Sequence, residues 1–202
     1  MCGRFELNKQ SVQAALQIAD ISPTVQEHLR FGEIFPTNSS LVLKKNENTI
    51  TPLNMTSKRL IGDIMKFGYR YSAKQTVSQT KSVQTQSLIL NARAETVASK
   101  WMFRQAFKQD RIVVVCSSFY EWTLQKQKMS FFEPHKTMYL AAIAIDGCFV
   151  ILTKEANASI ESFHHRMPVI FDAKQAEQWI LDPSLSKILW QEASPTLTHT
   201  YV

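Results

Sequence analysis

Met138–Thr153, reading MYLAAIAI-Asp146-Gly147-CFVILT, carries the strongest hairpin signal in the chain. Two apolar runs flank Asp-Gly, a dipeptide suited to the left-handed backbone of a tight hairpin turn. Upstream, IVVVC (112–116) reads as a buried strand and SLILNA (87–92) as another. Between them, Val97–Arg111 reads as a helix with Ala98, Met102 and Ala106 beside Trp101, Phe103 and Phe107. Its opposite face bears Lys100, Arg104, Lys108 and Arg111, a basic stripe that suits either solvent or phosphates. Downstream, Asp172 followed by Gln175 resembles a capping box opening the helix AKQAEQWIL, which stops before Pro183.

Toward the start, SVQAALQIA (11–19) suggests a short amphipathic helix and LVLKKNENTITPLNM (41–55) a hairpin about Asn-Glu-Asn. Ser72–Ser87, almost entirely Ser, Thr, Gln and Lys, lacks the apolar residues that offset ordering entropy and reads as a mobile surface loop. Hairpins with interspersed helices and no βαβ rhythm predict an α+β fold: an antiparallel, curved or barrel-like sheet with peripheral helices. One domain spanning 1–202, with a polar insertion at about 72–87, is expected.

Of the 202 residues, 45% are hydrophobic, enough for a sizeable core. The net charge of +6 is compatible with an anionic partner and also with ordinary solubility. Cys2, Cys116 and Cys148 make an odd count with no CxxC pair, which argues against a disulfide framework and fits a reducing compartment. The N-terminus has no apolar signal region and no run approaches a membrane span. A cytoplasmic monomer without cofactor or metal is expected.

Four short motifs bear chemistry. In Met1-Cys2-Gly3-Arg4-Phe5, removal of Met1 leaves Cys2 with an amine and a thiol on adjacent carbons. An α-amine titrates near ~8, so a useful fraction is nucleophilic at neutral pH. Such an aminothiol captures an aldehyde as an imine and then closes a five-membered thiazolidine. Alone, Cys2 reads as an ordinary second-position cysteine. Asn91-Ala92-Arg93-Ala94-Glu95-Thr96 offers an amide and a guanidinium suited to phosphate, or simply a strand-to-helix junction with Glu95 or Thr96 as cap. In Phe119-Tyr120-Glu121-Trp122, a carboxyl between aromatics beyond a buried strand is set for a raised pKa and proton transfer. His164-His165-Arg166-Met167-Pro168 supplies histidines able to donate a proton near neutrality. A metal reading is disfavoured, because neighbouring strand residues face opposite ways and no Cys, His or Asp pair has zinc-ligand spacing.

In order, MCGRF, NARAET, FYEW and HHRMP resemble the motifs of the SRAP family, the SOS-response-associated peptidases or abasic-site processing proteins, from Met1 to about Phe171. The resemblance implies an α+β fold with a barrel-like antiparallel sheet. It also implies a thiazolidine crosslink to the aldehyde of an abasic site in single-stranded DNA. By the same resemblance Cys2 is the nucleophile and Asn91 positions the amine and lesion. Glu121 shuttles protons, and His164 helps open the deoxyribose and reverse the crosslink. Arg4, Arg93 and Arg166 are implied phosphate contacts. Trp122 is implied to support the site or stack on a base, and Phe67 stands in place of a usual Trp. Departures are Glu33 for an amide, Phe67-Gly68 for Trp-Gly, and His165 for an Asp; the 72–87 segment also lacks a Trp or Pro-Gly signature. Two other functions stand beside it: an N-terminal-cysteine peptidase with the same Cys2, Glu121 and His164, and a non-covalent single-stranded DNA binding module in which the basic groove is primary and Cys2 dispensable.

Overall fold

The structure, a computed structural model, describes residues 2–50, 58–78, 81–123, 125–192 and 194–202. The chain runs through β1 (Arg4–Leu7), α1 (Lys9–Ile18), β2 (Ala19–Asp20), α2 (Pro23–Glu27), β3 (Gly32–Ile34) and β4 (Ser39–Lys45). A 3-10 turn (Glu47–Ile50) precedes β5 (Leu60–Phe67), β6 (Tyr69–Ser78), β7 (Lys81–Ile89) and β8 (Asn91–Arg93). Next come α3 (Ala94–Val97), α4 (Arg104–Gln109), β9 (Arg111–Cys116), β10 (Ser118–Trp122), β11 (Lys128–Phe132), β12 (Met138–Ile145) and β13 (Cys148–Glu155). β14 (Arg166–Pro168), β15 (Ile170–Phe171), α5 (Ala173–Leu181), α6 (Ser186–Leu189) and β16 (Thr198–Tyr201) follow.

The β12–β13 hairpin forms as its sequence predicts. Asp146 (φ 49°) and Gly147 (φ 72°) both take the left-handed backbone that the two-residue turn requires. β12 pairs on its other side with β9, from Met138 opposite Cys116 to Ile143 opposite Arg111. All six residues of β9 are buried, because β4 and β12 flank it while α5 and β1 pack against it. The larger sheet runs β14-β13-β12-β9-β4-β5-β2, with β8 on β13 and β15 on β12. It curls until β5 meets β13 over two residue pairs, Cys148–Lys66 and Phe149–Phe67. The result is a strongly curved sheet, not a closed barrel. It is also mixed: β8–β13, β5–β13 and β2–β5 are parallel, since long excursions separate their strands in the chain.

A second sheet, β16-β11-β10-β1-β3, is antiparallel throughout. The two sheets share an aromatic core. Phe67 stacks on Phe149 with ring centroids 5.2 Å apart, and Phe5 of β1 meets Phe67 edge-on at 5.5 Å. Gly68 turns the chain out of β5 at φ 94°, where an added Cβ would lie 2.7 Å from a Leu90 methyl. Beneath β9, the Trp179 indole N–H donates to the Ile112 carbonyl at 2.9 Å and its ring meets Phe107 and Phe171.

The capping box at Asp172 is formed: its carboxylate accepts from the Gln175 N–H at 2.8 Å and the Gln175 side chain accepts from the Asp172 N–H at 3.1 Å. Helix α1 starts earlier than the sequence suggests, because Asn8 and Ser11 make the same reciprocal cap. Two expectations are corrected. The Ser72–Ser87 segment is not a loop; it lies in a β6–β7 ladder running from Tyr69 opposite Ile89 to Ser78 opposite Lys81, with a bulge between Thr76 and Ser78. Apolar content decides whether a segment enters a core, whereas a hairpin needs only partner backbone groups and extended-backbone residues such as Thr and Val. The Val97–Arg111 helix is split, because the Ser99 and Lys100 N–H groups and the Ser99 hydroxyl all converge on the Thr96 carbonyl and close a turn there. Strand β4 pairs with β5, and residues 51–55 of the hairpin expected over 41–55 lie outside the described residues.

Among the described residues, no helix is long and apolar enough to cross a membrane. Truncating the stacked ring between the sheets, Phe67→Ala, should cost about 3–5 kcal/mol. Equilibrium denaturation checks this, and a loss below ~1.5 kcal/mol would mean the ring is not a core element.

Candidate active site

Pairing of β1 with β10 carries the start of the chain beside FYEW: Arg4 lies opposite Tyr120 and Phe5 opposite Phe119. Cys2, two residues before Arg4, is fully buried, and its thiol makes a weak 3.7 Å contact to the Arg4 carbonyl oxygen. Burial pushes that thiol well above its usual range, and the neighbouring Glu121 and Cys116 push it further. Sulfur at this position stays protonated at neutral pH.

Glu121 is 4% exposed. Strand alternation sends it to the inner face of the sheet with Phe119, away from Tyr120 and Trp122. Burial raises its carboxyl pKa, as the aromatic flanks suggest. Its charge in turn acts on the Cys2 thiol, which ties Cys2 and Glu121 together.

His164 sits just before β14. The Arg166 backbone N–H donates to its Nδ1 at 2.9 Å, which leaves the neutral ring's proton on Nε2. The Arg166 carbonyl oxygen also lies 3.0 Å from Nδ1 and accepts from it when the ring is charged. Each protonation state thus has a partner in place. Burial is the main cause lowering the His164 pKa, and His165, stacked on it at 4.6 Å, lowers it further. An Asp in place of His165 would act in the opposite sense.

Asn91 enters β8 against Ile151, and its side-chain oxygen is buried with no hydrogen-bond partner among the described residues. A buried polar atom of this kind is costly in a purely structural role. Thr96, considered as a cap, makes none; the N-cap of α3 is Arg93, without a side-chain bond.

The three arginines differ. Arg166 is buried, its NH1 and NH2 donating to the two Glu95 oxygens at 2.6 and 2.8 Å and NH2 also to the Thr153 carbonyl at 2.6 Å. Its guanidinium holds α3 to β13 and β14 and does not face solvent. Arg4 is clasped between the Phe35 ring at 4.4 Å and the Trp122 ring at 4.9 Å, and donates to Glu33 at 3.3 Å. Glu33 also accepts from Lys128 at 2.6 Å, so the acid that departs from the family's amide is matched by two cations. Arg93 is exposed and has no ion pair among the described residues. Phe67 is fully buried in the core described above and is not presented to a base. Sequence reading missed Lys128, Phe35 and the Glu95–Arg166 pair, none of which any local spacing announces. Among the described residues, no group of three or more His, Cys, Asp or Glu is placed to hold a metal ion.

The family model for "SOS response associated peptidase (SRAP)" matches residues 1–201. The chain belongs to the SRAP family. Curated relatives include the abasic site processing protein YoqW of Bacillus subtilis, 26% identical over 195 residues, covering 89% of this chain and 80% of the relative. The B. subtilis abasic site processing protein YobE is 25% identical over 194 residues, covering 89% and 82%. YedK of Escherichia coli, also named an abasic site processing protein, is 25% identical over 105 residues, 46% of this SRAP chain and 47% of its own. Two crystal structures share the fold. A Bacteroides thetaiotaomicron protein has a TM-score of 0.71 at 18% identity, covering 100% of this chain and 92% of its own. A phage-related protein from Bordetella bronchiseptica has a TM-score of 0.68 at 18% identity, covering 100% and 94%.

The Arg166 fork lowers the Glu95 pKa below its ordinary 4.5, chiefly through the side-chain hydrogen bond. A depressed carboxylate stabilises the fold above its unfolded pKa, and that stability is lost as pH falls through the folded value. Glu95→Gln should therefore be less stable than wild type at pH 7, with the gap closing progressively below about pH 4.5. Thermal denaturation across pH measures this; a gap unchanged down to pH 2 would contradict the pairing.

Proposed function

We propose that this SRAP protein captures abasic sites in single-stranded DNA by a covalent thiazolidine bond to Cys2 after Met1 is removed. The observation that carries the reading is the burial of Cys2 at the head of β1 beside the Glu121 carboxyl. The names of the curated relatives supply the lesion.

The amine of Cys2 attacks the aldehyde carbon of the ring-opened deoxyribose. The resulting carbinolamine loses water to give an imine. The thiol then adds across the C=N bond, sulfur to carbon and proton to nitrogen, and closes the five-membered ring. Nothing is oxidised or reduced. A protonated thiol is suited to this order of events, since the amine does the first attack and the sulfur needs only to add to an activated carbon. The same feature counts against a peptidase that depends on a Cys2 thiolate. Glu121, its pKa raised by burial, gives a proton to the departing water and takes one from the incoming thiol. His164, kept neutral with its proton on Nε2, donates toward the deoxyribose oxygen. Arg93 is the cation available to a flanking phosphate, and Arg4 reaches one by exchanging Glu33 for it. Asn91 offers its unpartnered amide oxygen to the amine. The reaction needs no cofactor and the reading places the protein in the cytoplasm as a monomer.

Incubation with an abasic single-stranded oligonucleotide should give a heat-stable adduct on a denaturing gel, absent in Cys2→Ala, with intact mass showing loss of Met1. Wild-type protein leaving no adduct would sink the proposal. Glu121→Gln should slow adduct formation about 10²–10⁴-fold and remove the alkaline limb of the pH–rate profile, since a carboxyl of raised pKa loses its proton as pH rises. An unaltered profile would remove Glu121 from the mechanism. Glu33→Gln frees Arg4 and Lys128, so strand affinity should rise and the log K against log salt plot should steepen by about 0.7 per cation engaged. Weaker binding in that variant would show that Glu33 supports the interface instead of competing for it.

A further inference from the structure

The basic stripe that the sequence places on one helix is not used by the reacting site, and the fold gives it a different form. Arg104 and Lys108 project from α4, Lys187 from α6, and Arg111 opens β9; together they line one cavity of about 660 Å³, with Phe107 and Pro183 among its apolar walls. No carboxylate lines it. Arg104, Lys108 and Lys187 are exposed and have no ion pair among the described residues.

Arg111 is unlike the other three. It is 6% exposed, and four of its N–H groups donate to backbone carbonyls: Trp179 at 2.7 Å, Phe107 at 3.0 Å, Lys108 at 2.8 Å and Ile180 at 3.4 Å. Neutral acceptors fix the guanidinium in the wall without cancelling its charge. The nearest acid acting on it, Asp182, is itself held by the Ser184 N–H at 2.8 Å and hydroxyl at 2.6 Å. Asp110 faces a different cavity. A concave surface of low dielectric with one fixed and three mobile cations concentrates positive potential.

An aromatic platform lies next along the chain. Trp101 is 66% exposed, its ring meeting Tyr71 edge-on at 5.8 Å. The turn closed by the Arg104 N–H on the Lys100 carbonyl at 2.9 Å sets Trp101 three residues before the first cavity cation. Exposed aromatics interleaved with cations are the surface that single strands use, bases on rings and phosphates on charges. A cavity of this size exceeds the needs of one free phosphate.

We propose that the α4–α6 cavity and Trp101 form a second nucleic-acid site, which holds the phosphates and one base of the strand beyond the reacting centre. The inference rests on the DNA reading above and extends it. Strand β9 joins the two places: Arg111 lines the cavity and Cys116 lies by Cys2, ~17 Å apart at ~3.3 Å per residue.

The test measures anisotropy of an undamaged 20-nucleotide single strand with wild type, with Arg104→Glu/Lys108→Glu/Lys187→Glu, and with a matched charge reversal at Lys9, Arg30 and Lys126. The cavity variant should bind at least tenfold more weakly than the matched control, with a log K–log salt slope shallower by about 2. Trp101→Ala alone should weaken binding about fivefold or more. Equal affinity of the cavity and control variants overturns the site, as does wild type that fails to bind the strand. Inorganic phosphate at matched ionic strength should not displace the strand; displacement assigns the cavity to a free anion and also overturns it. Crosslinking to a five-nucleotide abasic strand separates the two readings. The cavity variant should react there at the wild-type rate, whereas absence of any wild-type adduct with binding intact would sink the covalent chemistry and leave this site standing.

Discussion

Hydrogen bonds between β1 and β10 set Phe5 opposite Phe119 and Arg4 opposite Tyr120, and the placement of Cys2 against Glu121 follows from that register. Phe5 anchors it, because its ring is enclosed by Phe67 and Phe149 between the two sheets. A slip of one residue would bury Arg4 and expose Phe5, and would leave Cys2 out of step with Glu121. The aromatic core thus stabilises more than the fold. It decides which side chains at the head of the chain face the interior acid.

Electrostatics around that point are arranged by pairing. Glu33 is matched by Arg4 and Lys128, Glu95 by Arg166, and Glu6 by the Tyr120 hydroxyl at 2.8 Å and Ser118. Glu121 differs in that burial, not a cationic side chain, dominates its behaviour. Its carboxyl is pushed up while the His164 imidazole is pushed down, so two groups with different ordinary ranges converge. The two shifts narrow the difference in proton affinity between an acid and a base, the direction that general acid–base chemistry favours.

Much of this was legible in the sequence because local patterns carried it. Asp146-Gly147, the Asp172–Gln175 box and the apolar IVVVC each specify a backbone state within a few residues, and each appears as read. The aromatic neighbours of Glu121 signalled its burial in the same way. What escaped was set by distant partners. Arg166 reads as a free cation until Glu95, 71 residues earlier, fills its fork. Phe67 stands by resemblance in the place of a base-stacking Trp until Phe149 stacks on it in the core. Lys128 gains meaning only through Glu33, 95 residues away. The helix drawn through Val97–Arg111 failed for a nearer reason, competition from Ser99 for the Thr96 carbonyl.

The β6–β7 ladder stands apart from these constraints. Tyr69 and Ile89 at its base pack on the core, and between them no described residue joins it. Adding or removing one residue from each arm beyond the Tyr71–Ser87 pair would therefore preserve the pairing at its base, Asn91 included. The hairpin can thus lengthen or shorten at its tip while the frame that holds Asn91 stays fixed.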